Sequence, residues 1–242
     1  MFERLHHRRI DQVLECIDAG LMLKHRCLFG GGTAIALTHG EFRESADIGF
    51  ICASIDGYRA LRGLVHDGGV QALFTRPVTA LRGPKIDQYG VRCPLQVDGT
   101  PVKFEIVFEG RVALADPSPQ DKICGIWALA LEDKVATKLM ANSDRWADDS
   151  VMCRDIIDLA MLTPTGLLDT IGIDKALRAY GPSVINDLDK SRTHLLEREG
   201  RLALCMRKMG MTMPIDLLRD RIQALSVKPL GDDKGRKKSP RV

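Results

Sequence analysis

The sequence predicts an α+β fold, in which a mixed sheet core is followed by a helical C-terminal region. Short apolar runs and turn signals fill the first half of the chain, whereas helical spacing fills nearly all of 121–227. Pro117 and Pro119 separate the halves, because proline interrupts both helices and central strands. We therefore expect a core over 1–120, a helical domain over 121–227 and a disordered basic tail over 228–242.

Helices are predicted where apolar residues recur three and four positions apart and a turn residue closes the pattern. In the first half these segments are 4–19, 33–40 and 56–68. In the second half they are 129–145, 149–162, 173–180, 183–209 and 214–226.

Strands are predicted between and after the first helices. Residues 48–53 form a β-prone run, and 70–108 contains short runs of the same kind. Asp98-Gly99 is a hairpin turn signal, and it is followed by the predicted strand 102–108. A short apolar stretch at 27–29 runs into the glycines that follow it.

Charge and composition exclude several classes of protein. The formal net charge is +3, but the tail 228–242 holds six basic and two acidic residues, so the rest of the chain sums to −1. The body is therefore no basic nucleic-acid platform by net charge, and 5% aromatic residues argue against a stacking surface for single strands.

The cellular location is predicted from the lack of membrane-spanning and export signals in the sequence. No apolar run is long enough to span a membrane, and the charged N-terminus has no apolar core of a signal peptide. The seven cysteines show no CxxC spacing, so we expect reduced thiols in a cytoplasmic protein and no structural zinc site.

The first candidate for chemistry is Gly30-Gly31-Gly32-Thr33, between a predicted strand and a predicted helix. Glycines there let backbone N–H groups approach an anion at the positive end of a helix. The alternative is a tight turn that needs only a positive φ. The pattern is neither GxGxxG nor a P-loop, so neither of those sites is predicted.

Two acidic residues on predicted strands form the next candidates. Asp47 begins an apolar strand just after the glycine segment, and Glu105 shares one face of its strand with Lys103 and Val107. Side by side, the two carboxylates would bind a divalent cation. Separately, Asp47 could be a turn residue or a helix cap, and Glu105 a solvent-facing acid.

The last candidates are helical. Lys134, Lys138 and Arg145 can project from one face of a helix, and Arg154 lies one turn before Asp158. The simpler interpretation is a pair of solvated faces with ordinary ion pairs, including one between Arg154 and Asp158.

Together these segments resemble the AbiEii/AbiGii-type nucleotidyltransferase toxins of the polymerase-β-like nucleotidyltransferase superfamily. The resemblance rests on GGGT, R-x-S-x-D-I-x-F, F-E-I-V, a helical Lys and Arg seven apart, and RDIIDL, in that order over about 26–162. It implies a nucleotidyltransferase core that transfers a nucleoside monophosphate from an NTP to an acceptor, such as tRNA or another RNA. It also implies two Mg²⁺ ions and a cognate antitoxin protein.

The resemblance also implies roles for individual residues. Asp47 and Glu105 match the first and third metal-binding carboxylates, and Lys138 matches a helical lysine that faces the triphosphate. Asp158, supported by Arg154 and Asp155, matches the catalytic acidic helix. The residues that match nucleotide-binding positions are Gly31, Gly32, Thr33, Arg43, Ser45, Lys138 and Arg145.

The sequence departs from the family at one position, where Asp-x-Asp is replaced by Asp47-Ile48-Gly49. Glycine has no side chain to bind a metal. The chain could be a pseudoenzyme that binds nucleotide, RNA or antitoxin without turnover, or Glu44 or Asp56 could substitute, or an active toxin could have been inactivated by a change at position 49. A small-molecule nucleotidyltransferase of the antibiotic-modifying kind is a further alternative.

Overall fold

The computed structural model describes residues 2–227, which contain ten α-helices and a mixed sheet. The predicted tail 228–242 lies outside the described residues. The helices are α1 Leu5–Leu14, α2 Ala19–Lys24, α3 Gly31–Thr38, α4 Ile55–Gly68, α5 Leu131–Arg145, α6 Arg154–Leu162, α7 Thr170–Tyr180, α8 Ser183–Leu196, α9 Arg201–Lys208 and α10 Ile215–Ala224.

The described strands form one large sheet and one small ribbon. They are β1 Cys27–Gly30, β2 Asp47–Cys52, β3 Thr79–Ala80, β4 Lys85–Ile86, β5 Gly90–Val97, β6 Thr100–Phe108, β7 Lys122–Ile123 and β8 Ile126–Trp127. The sheet order is β1-β2-β6-β5-β3, with β4 also paired to β5, and β7 and β8 form the ribbon. Only β2 and β6 are parallel among these pairs, so the predicted mixed sheet is confirmed.

The predicted hairpin turn is also confirmed. Val97 pairs with Thr100, and the two residues between them have positive φ, +48° at Asp98 and +75° at Gly99. A two-residue turn with two positive φ values matches the twist of antiparallel strands, and Asp-Gly is a favoured pair for it. This turn fixes the register of β5 against β6.

Three predicted helices are shorter than expected. The segment 4–19 ends at Leu14, and Asp18 starts a new helix by accepting a hydrogen bond from the Leu21 backbone N–H. The segment 183–209 is interrupted at Gly200, whose φ is +69°. The segment 149–162 becomes α-helical only at Arg154, because the two residues before it adopt left-handed φ values. Local backbone conformation therefore overrides a continuous apolar pattern.

Helix α3 lies between two hydrophobic cores. Its residues Ala34 and Leu37 pack with the sheet core, whereas Ile35 and Ala36 pack with the core formed by the later helices. The ribbon residues after position 120 belong to the sheet core. The division into domains at 120 remains a prediction, and α3 places its N-terminus where sheet and helices meet.

Candidate functional site

A cavity of about 330 Å³ opens where the N-terminus of α3, the strands β2 and β6, and the helices α5 and α6 meet. Its volume lies in the usual range for small-ligand sites. The structure brings nine of the predicted site residues to its lining: Gly31, Gly32, Thr33, Arg43, Ser45, Asp47, Glu105, Lys138 and Arg145.

The strand floor of the cavity, which we define as Asp47, Gly49, Lys103 and Glu105, follows from the register of β2 and β6. Asp47 lies opposite Lys103, and Gly49 lies opposite Glu105. Because strand side chains alternate, all four positions face the cavity. Lys103 Nζ lies 2.7 Å from Glu105 Oε2, so the lysine neutralises one of the two carboxylates.

Position 49 could hold a larger side chain. A Cβ added to Gly49 would have its nearest neighbour at 3.9 Å, the carbonyl oxygen of Gly30, which is an ordinary contact. The glycine is therefore not required by crowding. An aspartate there would lie next to Glu105 on the neighbouring strand.

The residues present do not fit a two-metal centre. Of the three carboxylate positions that the resemblance implies, one is Gly49, and the carboxylate of another, Glu105, is paired with Lys103. Within residues 2–227, no group of three or more His, Cys, Asp or Glu side chains is arranged to hold a metal ion. Divalent cations such as Mg²⁺ prefer several oxygen ligands, and this floor supplies one unpaired carboxylate, that of Asp47.

The glycine segment also lines the cavity. Gly31 begins α3 with a φ of +72°, a conformation that favours glycine. At Gly32 a Cβ would lie 1.9 Å from Arg43 Nη2, so the guanidinium needs the space that glycine leaves. No side chain caps the N-terminus of α3, so its N–H groups and helix dipole favour an anion there.

Thr33 and Ser45 fix the start of β2. The Thr33 hydroxyl donates to the Asp47 carbonyl and lies 2.7 Å from Ser45 Oγ. Thr33 is only 2% exposed, so its hydroxyl is used within the protein. These contacts position the Asp47 backbone, and the phosphate contact predicted for Thr33 remains a prediction.

A buried ion network, which we call the helical wall, lies behind the glycine segment. Arg43 donates to both Asp158 oxygens at 2.7 and 2.9 Å. Lys138 Nζ lies 2.6 Å from Asp158 Oδ2 and 2.8 Å from Asp155 Oδ1. Arg145 donates to both Asp155 oxygens at 2.7 and 2.9 Å. Each carboxylate therefore contacts two cations.

The contacts of the helical wall affect the two aspartates of α6, Asp155 and Asp158, in different ways. Burial alone would raise the pKa of Asp155, but Lys138 and Arg145 outweigh burial and hold that pKa well below its usual range. Asp158 is fully buried and is absent from the cavity lining. Its observed contacts orient Arg43 and Lys138, while its predicted catalytic role remains a prediction.

The sequence matches one protein family over residues 19–227, the nucleotidyl transferase AbiEii toxin family of type IV toxin–antitoxin systems. The chain belongs to this family. The order of motifs in the sequence and their convergence on one cavity agree with that assignment.

Two solved structures share the fold of this chain. One is an H. pylori protein provisionally described as a nucleotidyltransferase, with 15% identity, a TM-score of 0.51 and coverage of 93% of this chain and 96% of that one. Another is JHP933 from Helicobacter pylori, with 14% identity, a TM-score of 0.53 and 93% coverage of both chains. The curated proteins contain no match.

Within the described residues of this AbiEii family member, no helix is both long and apolar enough to cross a bilayer. The three cations predicted to share one face of a helix differ in their relation to the cavity. Lys134 is only 8% exposed and does not line the cavity, and burial lowers its pKa. Lys138 and Arg145 do line it.

Arg154 is a cavity residue that the sequence interpretation placed only in support of Asp158. Its predicted ion pair with Asp158 does not form, because Arg43 and Lys138 occupy that carboxylate. Among residues 2–227, its guanidinium makes no hydrogen bond or ion pair, and it lines the cavity from the first turn of α6. The i, i+4 spacing of Arg154 and Asp158 indicated a local ion pair, so the sequence did not predict that Arg154 lines the cavity.

Proposed function

We propose that this chain is a nucleotidyltransferase toxin that binds a nucleoside triphosphate in the cavity and transfers a nucleoside monophosphate to an RNA acceptor such as tRNA, with a cognate antitoxin as partner. The observation that carries the proposal is the cavity itself. An uncapped helix N-terminus, the Arg154 guanidinium and Asp47 all line it. Family membership supports the reaction class.

Each group has a role in that reaction. The α3 N-terminus and Arg154 bind the triphosphate, and Lys138 and Arg145 add positive potential from the helical wall. The acceptor hydroxyl oxygen forms a bond to the α-phosphorus, the bond to the β-phosphate bridge breaks, and pyrophosphate leaves. Asp47 is placed to take the hydroxyl proton and pass it to solvent.

A second candidate function is a binding protein for nucleotide, RNA or antitoxin that has no turnover. Two observations favour it, the missing side chain at Gly49 and the ion pair between Lys103 and Glu105. Metal positioning matters most where charge develops in the transition state, so both changes weaken catalysis more than nucleotide binding.

The experiment compares wild type with Gly49→Asp, using radiolabelled NTPs with total tRNA and, separately, a panel of small-molecule acceptors. We expect Gly49→Asp to raise Mg²⁺-dependent transfer to tRNA at least ~10²-fold, the scale of one preorganised electrostatic group. Expression of this variant should become toxic to cells. Asp47→Ala in the same background should abolish both effects.

The opposite result is equally clear. If Gly49→Asp folds normally, binds Mg²⁺ and NTP, and transfers nothing to any acceptor, the transferase proposal fails and the binding function replaces it. Transfer only to the small-molecule panel would overturn the RNA acceptor.

A further inference from the structure

Lys103 lies at the centre of the strand floor, although none of the family motifs includes it. It faces Asp47 across the parallel pair and contacts Glu105 at 2.7 Å on its own strand. We propose that Lys103 is a built-in cation of this cavity, which neutralises Glu105 and binds nucleotide phosphates where family members would use a second divalent metal ion. The nucleotide part of this inference rests on the proposed function, and the metal part does not.

The charge of the floor supports this role. Asp47 and Glu105 carry two negative charges, and Lys103 cancels one of them. A divalent cation beside the floor therefore meets a net charge of −1 and the repulsion of an ammonium group within the same few ångströms. The ammonium already provides positive charge at this position, so the second metal has little to bind.

The position of the ammonium supports its contact with a ligand. The Lys103 side chain is 49% exposed and Glu105 is 22% exposed, so the pair lies at the surface of the cavity. A lysine has three N–H donors. The contact with Glu105 uses one donor, and the others remain available to phosphate oxygens.

The other cations of the lining differ from Lys103 in their contacts. Arg43, Lys138 and Arg145 are engaged by the buried aspartates of the helical wall. Among the described residues of the lining, Lys103 and Arg154 are the two cations that no helical-wall aspartate contacts. Lys103 lies on β6 and Arg154 on α6, and both line the cavity, so a triphosphate bound there could contact a cation from the sheet and a cation from the helices.

The test measures Mn²⁺ binding to nucleotide-free protein by electron paramagnetic resonance. The variant is Lys103→Met, and the matched control is Lys85→Met, since Lys85 is an exposed lysine of the same sheet outside the cavity lining. We expect Lys103→Met to bind Mn²⁺ about tenfold more tightly than wild type, the scale of removing a unit charge near a divalent cation at a half-exposed site. The control should match wild type.

A second measurement compares the affinity for ATP and GTP in Mg²⁺ and in EDTA. Wild type should bind nucleotide almost equally well in both, whereas Lys103→Met should lose affinity in EDTA. The double variant Gly49→Asp/Lys103→Met should bind two Mn²⁺ ions per chain.

Two results would overturn the inference. One is that Lys103→Met has the same melting temperature as wild type and binds Mn²⁺ no more tightly than wild type does. The other is that wild type already binds two Mn²⁺ ions. Failure of the proposed function would look different. In that case Gly49→Asp would transfer nothing to any acceptor, while the Mn²⁺ titration would still decide the metal-displacing role of Lys103.

Discussion

The two sides of the cavity differ in how completely their charges are paired. In the helical wall, Asp155 and Asp158 are buried and each contacts two cations at 2.6–2.9 Å. On the strand floor, a half-exposed Lys103 pairs with Glu105, and Gly49 contributes no side chain. Breaking a buried pair leaves an uncompensated charge, whereas exposed pairs contribute little to stability. The wall therefore maintains the fold, and the floor can change its chemistry at small cost to stability.

The largest effect is expected from Asp158→Ala. This change leaves Arg43 and Lys138 buried beside each other without their shared carboxylate, and we expect it to lower the free energy of unfolding by about 3–5 kcal/mol. Asp47→Ala, on the floor, should change it by less than ~1 kcal/mol. Urea denaturation of the two variants measures the difference. Similar losses of unfolding free energy in the two variants would contradict the proposed difference between the helical wall and the strand floor.

The next effect concerns nucleotide binding by α5. Lys138→Ala should weaken NTP binding by roughly tenfold or more, the scale of a charge-assisted hydrogen bond, and Lys134→Ala should have little effect because Lys134 is outside the lining. Lys138→Arg should rescue only in part, since a planar fork cannot reproduce the contacts of a point charge to both aspartates. Binding is measured by calorimetry well below the melting temperature of each variant.

Equal and small effects of the two alanine variants would show that Lys138 serves only the ion pairs of the helical wall and does not bind nucleotide. A loss of binding that Lys138→Arg restores completely would show that only the charge at position 138 matters, and not its geometry.

The contrast between wall and floor also explains what the sequence could predict. The strand acids, the glycine segment and Lys138 each occur in local patterns, so their convergence on one cavity could be expected. The partners of Asp158 could not, because Arg43 lies 115 positions away, in the segment between α3 and β2, and reaches Asp158 only in the folded chain, where α3 packs against α6. The same long-range contact displaced the predicted local pair of Arg154. Likewise, continuous apolar spacing did not predict the breaks after Leu14 and before Arg201, where Asp18 caps a new helix and Gly200 has a positive φ.

A smaller effect is expected from pH, through Asp155. Its pKa in the folded protein lies below the value of about 3.9 expected in the unfolded chain, so this ionised group stabilises the protein at neutral pH. That contribution is complete above the unfolded pKa and disappears as the pH falls through the folded one. Asp155→Asn should therefore be less stable than wild type at pH 7, and the difference should shrink below about pH 4. Denaturation series at several pH values measure it, and a constant difference would contradict this account.

The smallest expected effect is that of a single methyl group on each side of the cavity. Gly49→Ala places its Cβ 3.9 Å from the nearest atom, and alanine restricts the unfolded chain, so we expect a gain of about 0.4–1 kcal/mol in stability. Gly32→Ala places its Cβ 1.9 Å from Arg43 and should destabilise the protein by about 1–3 kcal/mol through overpacking. Thermal melts compare the two. A loss of stability in Gly49→Ala would show that the backbone at position 49 requires glycine. It would also contradict the conclusion that this position can hold an acidic side chain.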